Sequence, residues 1–313
     1  MHFAVLAAAD SWYARDLARA AAGDFAITTL PFSEMRAELG TVGWTSGPSG
    51  NPPESAPGGR TGGPSYISAN RDLAEFDAVI VRTMPPGSLE QVVFRMDCLA
   101  RYEAAGGVVI NPPRAIEAAV DKFLTSAKLQ AAGLLTPRTI VCQTADDAMA
   151  AFEQLGGDVV LKPIFGSEGR GITRLNDEAL ALRVFKMLAQ LGAVLYVQEF
   201  IEHEGCDLRL LLIGERVLAM RRRNPLDWRT NISRGAKAEA FTPDESLVEL
   251  ARRAAAAVGA PLAGVDLLPG RDGKLYAIEV NAVPGWKGLA KALGVDVARL
   301  VLEFVADQVK KCR

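Results

Sequence analysis

Three oxygen-bearing residues late in the chain are spaced to meet one hard cation. In the stretch AGVDLLPGRDGKLYAIEVNAVPG, Asp272-Gly273 is a strong two-residue hairpin signal. A turn centred there places Asp266 directly opposite Glu279, and Asn281, two residues on, projects from the same face. Like charges opposed across a ladder are destabilising, and the residues beside them (Val265, Leu267, Ile278, Val280) are all apolar. Two carboxylates and an amide oxygen on one face suit Mg2+, which prefers oxygen ligands. The structural alternative has one carboxylate solvated and the other bonded to backbone.

Other residues break their local pattern in ways that suit an anion. The run DVVLKPI carries Lys162 among apolar residues, and a partly buried lysine needs an anionic partner. The following FGSEGRGI offers Gly166, Ser167, Gly169 and Gly171, where backbone N–H groups can crowd round an anion. It matches neither a Walker A loop nor GxGxxG, and ordinary turn glycines are the alternative; the adjoining lysine favours phosphate. Lys122 follows Asp121 in a first helical turn, where its charge opposes the helix dipole, so either something holds it or it is simply solvated. LYVQEFI ends in Gln198, Glu199, Phe200 and Ile201, an edge able to take a planar purine, or plain core. A hairpin centred on Gly214-Glu215 sets Asp207 opposite Arg222 and on its face. The basic stretch Arg221–Arg223, Arg229, Asn231 and Arg234 follows, either a solvated surface or a set of forked donors for carboxylate and phosphate.

The elements that position these residues belong to an ordinary globular chain. Its 313 residues carry 35 basic and 37 acidic side chains, a net charge of −2, which argues against binding nucleic acid or membranes through bulk charge. Two histidines, and four cysteines with no CxxC pair, leave catalysis to Lys, Arg, Asp, Glu and Asn. No signal peptide or membrane span is expected, which places the protein in the cytoplasm. The first third alternates strands (His2–Ala8, Ala26–Leu30, Ala78–Thr83, Val108–Asn111) with helices (Ser11–Ala22, Ser88–Ala105), the signature of a parallel sheet. Between Gly40 and Ser65 half the residues are Gly or Pro, which predicts a mobile loop within this domain, a neutral insertion or a substrate lid. From Asp121 the pattern restarts, with helices at Asp121–Ala132, Ala145–Leu155, Asp177–Leu191 and Pro243–Val258, the two hairpins, and an amphipathic helix at Val295–Val309.

In their order along the chain these residues closely resemble the ATP-grasp superfamily, and specifically the RimK-like α-L-glutamate ligases. The resemblance rests on Asp121-Lys122, Lys162 before its Gly-rich loop, Gln198–Ile201, Asp207-Leu208-Arg209, Arg229-Thr230-Asn231, Arg234-Gly235, Asp266 and Glu279-Val280-Asn281. It runs from about Asp121 to the end of the chain and implies an α/β and α+β architecture. A parallel-sheet pre-ATP-grasp domain (1–112) would precede central (113–192) and C-terminal (193–313) ATP-grasp subdomains. Further implications are adenine at Gln198–Ile201, Lys122 and Lys162 on the α- and β-phosphates, and Gly166–Gly171 as a flap. Asp207, Arg209, Arg229 and Asn231 would complete the nucleotide site. Asp266, Glu279 and Asn281 would hold two Mg2+ ions, with Mn2+ as a substitute. Arg234 and Arg222 would be catalytic, Arg234 facing the tetrahedral oxyanion. The implied reaction joins an acceptor carboxylate to an amine, L-glutamate in the namesake, through an acyl phosphate. The acceptor would be a small molecule or a protein C-terminus, and TMPPGSLEQVVFRMD resembles a subgroup acting on a pterin- or furan-type C1 coenzyme. A homo-oligomer is expected. A kinase that omits the amine, or an ATP-binding regulatory module, are the competing readings.

Overall fold

The computed structural model describes residues 1–40, 64–166 and 169–313, which form two compact units: Met1–Ile110 with Val305–Arg313, and Asn111–Phe304. Most of the Gly/Pro-rich loop and Ser167 of the Gly-rich stretch lie outside the described residues.

The first unit is built on β1 (His2–Leu6), β2 (Ala26–Leu30), β6 (Ala78–Val81) and β7 (Val109–Ile110), in the order β2-β1-β6-β7 and parallel throughout, as the alternation predicts. The side chains of β1, β6 and β7 are buried on both faces (Phe3, Val5, Val79 and Ile80 are fully covered), the usual state of a parallel sheet, while the edge strand β2 buries only Leu30. Helices α1 (Trp12–Ala20) and α2 (Leu89–Ala104) intervene; Ser88 and Gln91 cap α2 reciprocally, each side chain bonding the other's backbone N–H. A small antiparallel sheet of β3 (Arg36–Glu38), β4 (Ser65–Ser68) and β5 (Arg71–Asp72) was not legible, because its strands are too short for a period to register.

The second unit opens with α3 (Pro113–Val120), whose Pro113 occupies the first-turn position that tolerates proline, and α4 (Lys122–Ala131), capped by Asp121. The sheet that follows has the order β10-β9-β11-β8, from β8 (Thr139–Cys142), β9 (Val159–Lys162), β10 (Thr173–Leu175) and β11 (Leu195–Glu199). Its helices α5 (Ala145–Gln154) and α6 (Glu178–Gln190) bury Phe152 and Phe185 with Val159, Leu161, Leu195 and Val197. A division at 192/193 would therefore cut β11 from its own sheet, where it pairs with β8 and β9.

The second sheet of this unit has the order β14-β13-β12-β15-β16, antiparallel throughout. Its strands are β12 (Cys206–Ile213), β13 (Arg216–Arg223), β14 (Lys237–Phe241), β15 (Leu262–Pro269) and β16 (Leu275–Asn281). Helix α7 (Glu245–Val258) packs on β12, β15 and β16, α3 and α4 lie against β16, and α8 (Lys287–Leu293) covers β13 and β14. The chain ends in α9 (Val297–Cys312). Asn111 staples this sheet: its side chain bonds the backbone N–H and C=O of Leu262 and the carbonyl of Ala282.

The last hairpin departs from the expected turn. Gly270 N–H donates to Lys274 C=O and Pro269 pairs with Leu275, so three residues close the turn instead of two. One extra residue, Ile278, is then inserted as a bulge between the pairs Leu267–Ala277 and Asp266–Glu279. The two shifts cancel, and Asp266 does stand opposite Glu279, as expected.

Candidate active site

The face of the second sheet that carries the charged residues follows from strand alternation. Asp207 and Arg209, two apart on β12, project to the same side, with Leu208 and Leu210 on the other. Across the ladders Arg222 pairs with Asp207, Arg209 with Asp266, and Asp266 with Glu279. A row of charged residues thus crosses four strands, alternating in sign until it ends in the like-charged pair Asp266 and Glu279.

Within this row the bonding is uneven. Arg209 grips both carboxylate oxygens of Asp266, through Nε and through Nη2 at 2.7 Å. Arg222 grips Asp207 in the same forked way, with Nε–Oδ1 at 2.7 Å, and its Nη2 also reaches Asp266 Oδ2 at 3.1 Å. Thr230 Oγ1 donates to Asp207 Oδ2 at 2.5 Å. Burial would push the Asp266 carboxyl up, but Arg209 and Arg222 outweigh it and hold Asp266 below the usual carboxylate range. The half-buried Glu279 carboxylate has no hydrogen-bond or ion-pair partner among the described residues.

Two lysines complete the charge pattern. Lys162 Nζ donates to Gln198 Oε1 at 2.6 Å, and Gln198 Nε2 donates onward to Thr139 Oγ1 at 2.9 Å and Tyr196 OH at 3.1 Å. Burial pushes the Lys162 ammonium down to about 8, with the nearby Lys122 lowering it further and Glu279 and Asp266 opposing. Lys122 is also lowered by burial. What holds its charge at the helix start is the Gly166 carbonyl, which accepts from Nζ at 2.8 Å.

The edge expected to take a purine is partly used by the sheet. Glu199 N–H donates to Arg138 C=O and Phe200 N–H to Asp158 C=O, while the Glu199 carboxylate accepts from Arg138 N–H at 2.7 Å. Phe200 is walled by the Arg174 guanidinium, 3.5 Å from its centroid, and by Trp228 edge-on at 5.7 Å. Gly169, at φ +70°, lies so close to Asn231 that a Cβ would stand 2.6 Å from its Oδ1, so only glycine fits there. Gly171 lies against Pro163.

One cavity of the second unit is lined by Lys122, Lys162, Gly169, Gln198, Glu199, Phe200, Ile201, Asp207, Arg222, Arg229, Asn231, Asp266 and Glu279. Gly166, Gly171, Arg209, Arg234 and Asn281 are not among its lining residues. Arg229 pairs with Asp227 at 2.7 Å, Asn281 Nδ2 makes a loose 3.4 Å contact with Gly264 O, and the exposed Arg234 reaches Gly169 O at 3.4 Å. Tyr196, Trp228 and Thr230 also line the cavity. Tyr196 had a signal, since it shares a strand face with Gln198 by the period of two.

A family model described as the RimK-like ATP-grasp domain matches residues 119–305. The tetrahydromethanopterin:alpha-L-glutamate ligase of Methanosarcina acetivorans is 33% identical over 264 residues, covering 75% of this chain and 81% of that protein. The ribosomal protein bS6–L-glutamate ligase of Escherichia coli O139:H28 is 33% identical over 241 residues, 75% of this chain and 78% of that one. The solved structure of the ATP-grasp ligase PsnB, complexed with minimal precursor, Mg and ADP, superposes with a TM-score of 0.70 at 21% identity over 98% of both chains, a likeness of fold. The chain belongs to the RimK-like ATP-grasp family.

Proposed function

We propose that the cavity binds ATP and that the protein is an ATP-dependent carboxylate–amine ligase adding L-glutamate to a small-molecule acceptor, with a pterin-type coenzyme carboxylate as the first candidate. The observation that carries this reading is the meeting of Lys122, Lys162 and the unpartnered Glu279 in one cavity beside the Phe200–Ile201 edge. In this reading 1–112 is the pre-ATP-grasp domain, and the two ATP-grasp subdomains divide after β11.

Lys122 and Lys162 hold the α- and β-phosphates, and the loop through Gly166 and Gly171 covers them. The aromatic wall of Phe200 and Trp228 takes the adenine. The donor chemistry fits Mg2+: Asp266 and Glu279 stand opposite each other and line the cavity, and Asn281, two residues on from Glu279, would add an amide oxygen. Bound there, Mg2+ would offset the charge of the β- and γ-phosphates. The acceptor carboxylate attacks the γ-phosphorus, releasing ADP and leaving an acyl phosphate. The glutamate amine then attacks the acyl carbon, phosphate departs as the C–O bond breaks, and the nitrogen gives up a proton to close the amide. No side-chain nucleophile takes part, so this chain contributes position and charge. Arg234 stabilises the oxyanion, while Arg222, its fork held by two carboxylates, acts by placing them.

The acceptor reading draws on the first relative, which is named for a coenzyme; the E. coli relative is named for a protein acceptor at the same identity. The test is ADP release against a panel of pterin, furan and peptide carboxylates with each amino acid, followed by product mass. Release that needs both acceptor and glutamate supports the ligase. Sustained release with acceptor alone, with a stable phosphorylated acceptor as the product by mass, would make the protein a kinase.

A further inference from the structure

We propose that Asp207 is a positioning residue that divides the Arg222 guanidinium between two carboxylates and so keeps Asp266 open to a divalent cation. This rests on the reading of Asp266 as a cation ligand.

Asp266 is already a crowded acceptor. Arg209 takes one position on each oxygen, and Arg222 Nη2 reaches Oδ2 from 3.1 Å, the longest of these contacts. A cation approaching Asp266 displaces the weakest bond, so the position of Arg222 sets how readily the carboxylate is reached. Asp207 draws the Arg222 fork the other way, engaging Nε at 2.7 Å as well as Nη2. All three residues are buried, so water screens these contacts only weakly.

Thr230 adjusts the balance. Its hydroxyl donates to Asp207 Oδ2, the oxygen that Arg222 Nη2 also uses, and so competes with Arg222 for that acceptor. Thr230 lies between Arg229 and Asn231, which face the same cavity. A single chain of hydrogen bonds therefore runs from this loop through Asp207 and Arg222 to Asp266. Whatever orders the loop shifts cation affinity, and the cation acts on the loop by the same factor.

The test uses the full chain and Mn2+ as the probe, its binding read by electron paramagnetic resonance with a non-hydrolysable ATP analogue. ADP affinity without metal is measured in parallel by calorimetry. Asp207→Asn frees Arg222 to settle on Asp266, so Mn2+ affinity should fall about tenfold, the scale of one charge-assisted hydrogen bond. Metal-free ADP affinity should hold or tighten, because one negative charge has been removed beside the phosphates. Thr230→Val leaves Asp207 wholly to Arg222 and should not weaken Mn2+ binding. Adding Arg222→Met to Asp207→Asn should restore much of the lost affinity. General damage to the site would instead weaken metal and nucleotide together, with no rescue, and that result overturns the proposal, as does wild-type Mn2+ affinity in Asp207→Asn. If Asp207→Asn does not fold, a loss of Mn2+ affinity in Thr230→Val overturns it. Asp266→Asn separates the two readings: normal Mn2+ binding there defeats the ligand assignment itself. Loss in Asp266→Asn with no change in Asp207→Asn defeats only the positioning role.

Discussion

Asp266 faces Glu279 across the β15–β16 ladder, and of the two only Asp266 is neutralised, by Arg209 and Arg222. The like-charge repulsion that the sequence implies is therefore already reduced before any cation arrives. Glu279 instead looks toward Lys162 and Lys122, whose charged forms it favours.

Glu279→Gln follows from this arrangement. It removes a ligand charge and should abolish both Mg2+-dependent turnover and Mn2+ binding. Relief of the contact with Asp266 and loss of attraction to the lysines oppose each other, each worth up to about 1 kcal/mol. Stability should therefore stay within about 1 kcal/mol of wild type. Thermal unfolding of the metal-free protein checks the second outcome and a metal titration the first. Normal Mg2+ dependence in this variant would end the cation assignment.

Lys162 gives a pH dependence with a definite sign. Its folded value of about 8 lies below the ordinary 10.5, so between these values the unfolded chain holds a proton that the folded chain has lost. Stability from this site therefore rises with pH across that window, and below about 8 the cost of burying the cation is fully present. Denaturant unfolding of wild type against Lys162→Met should show wild type gaining on the variant as pH climbs from 7.5 toward 10. Nucleotide affinity should move oppositely, weakening above about pH 8 as the free protein loses the charge that meets phosphate. A flat comparison on both measurements would remove the buried lysine from the account.

Lys162→Met should also cost about 1.5–3 kcal/mol of ADP binding at neutral pH, the value of a hydrogen bond to a charged group. Gln198→Glu tests the same contact from the other side. A carboxylate 2.6 Å from Nζ would satisfy the lysine internally and compete with phosphate, so the free fold should gain stability while ADP affinity falls. Calorimetry on both variants checks the pair. Tighter ADP binding by Gln198→Glu would show that Lys162 does not reach the nucleotide.

Much of this site was legible because antiparallel register is arithmetic once a turn is placed. Asp207 opposite Arg222 follows from Gly214-Glu215 with no irregularity along the ladder. Asp266 opposite Glu279 was reached although the turn is one residue longer than expected, since the Ile278 bulge restores the count. That bulge has no local signature, because Ile278 suits an ordinary strand as well. The partnership of Arg209 with Asp266 was not legible: β12 and β15 are far apart in sequence, and no hairpin fixes their register. Strand β14 was missed for a different reason. Its KAEAF sequence is an exposed edge with no buried residue, so its alternation carries little contrast.

Arg234 tests the division between binding and rate. It is exposed, outside the cavity lining, and its guanidinium makes one hydrogen bond among the described residues, the loose 3.4 Å contact to Gly169 O. A guanidinium held so weakly is free to turn toward charge that develops during reaction, and interactions made only then act on turnover. Arg234→Lys keeps the charge and loses the fork, so kcat should fall while nucleotide affinity holds. Single-turnover kinetics separate the two halves of the reaction: acyl-phosphate formation should be nearly normal and amide formation slowed. Loss of ADP affinity in proportion to rate would instead make Arg234 a phosphate ligand, reaching the nucleotide through the Gly169 segment that it already touches.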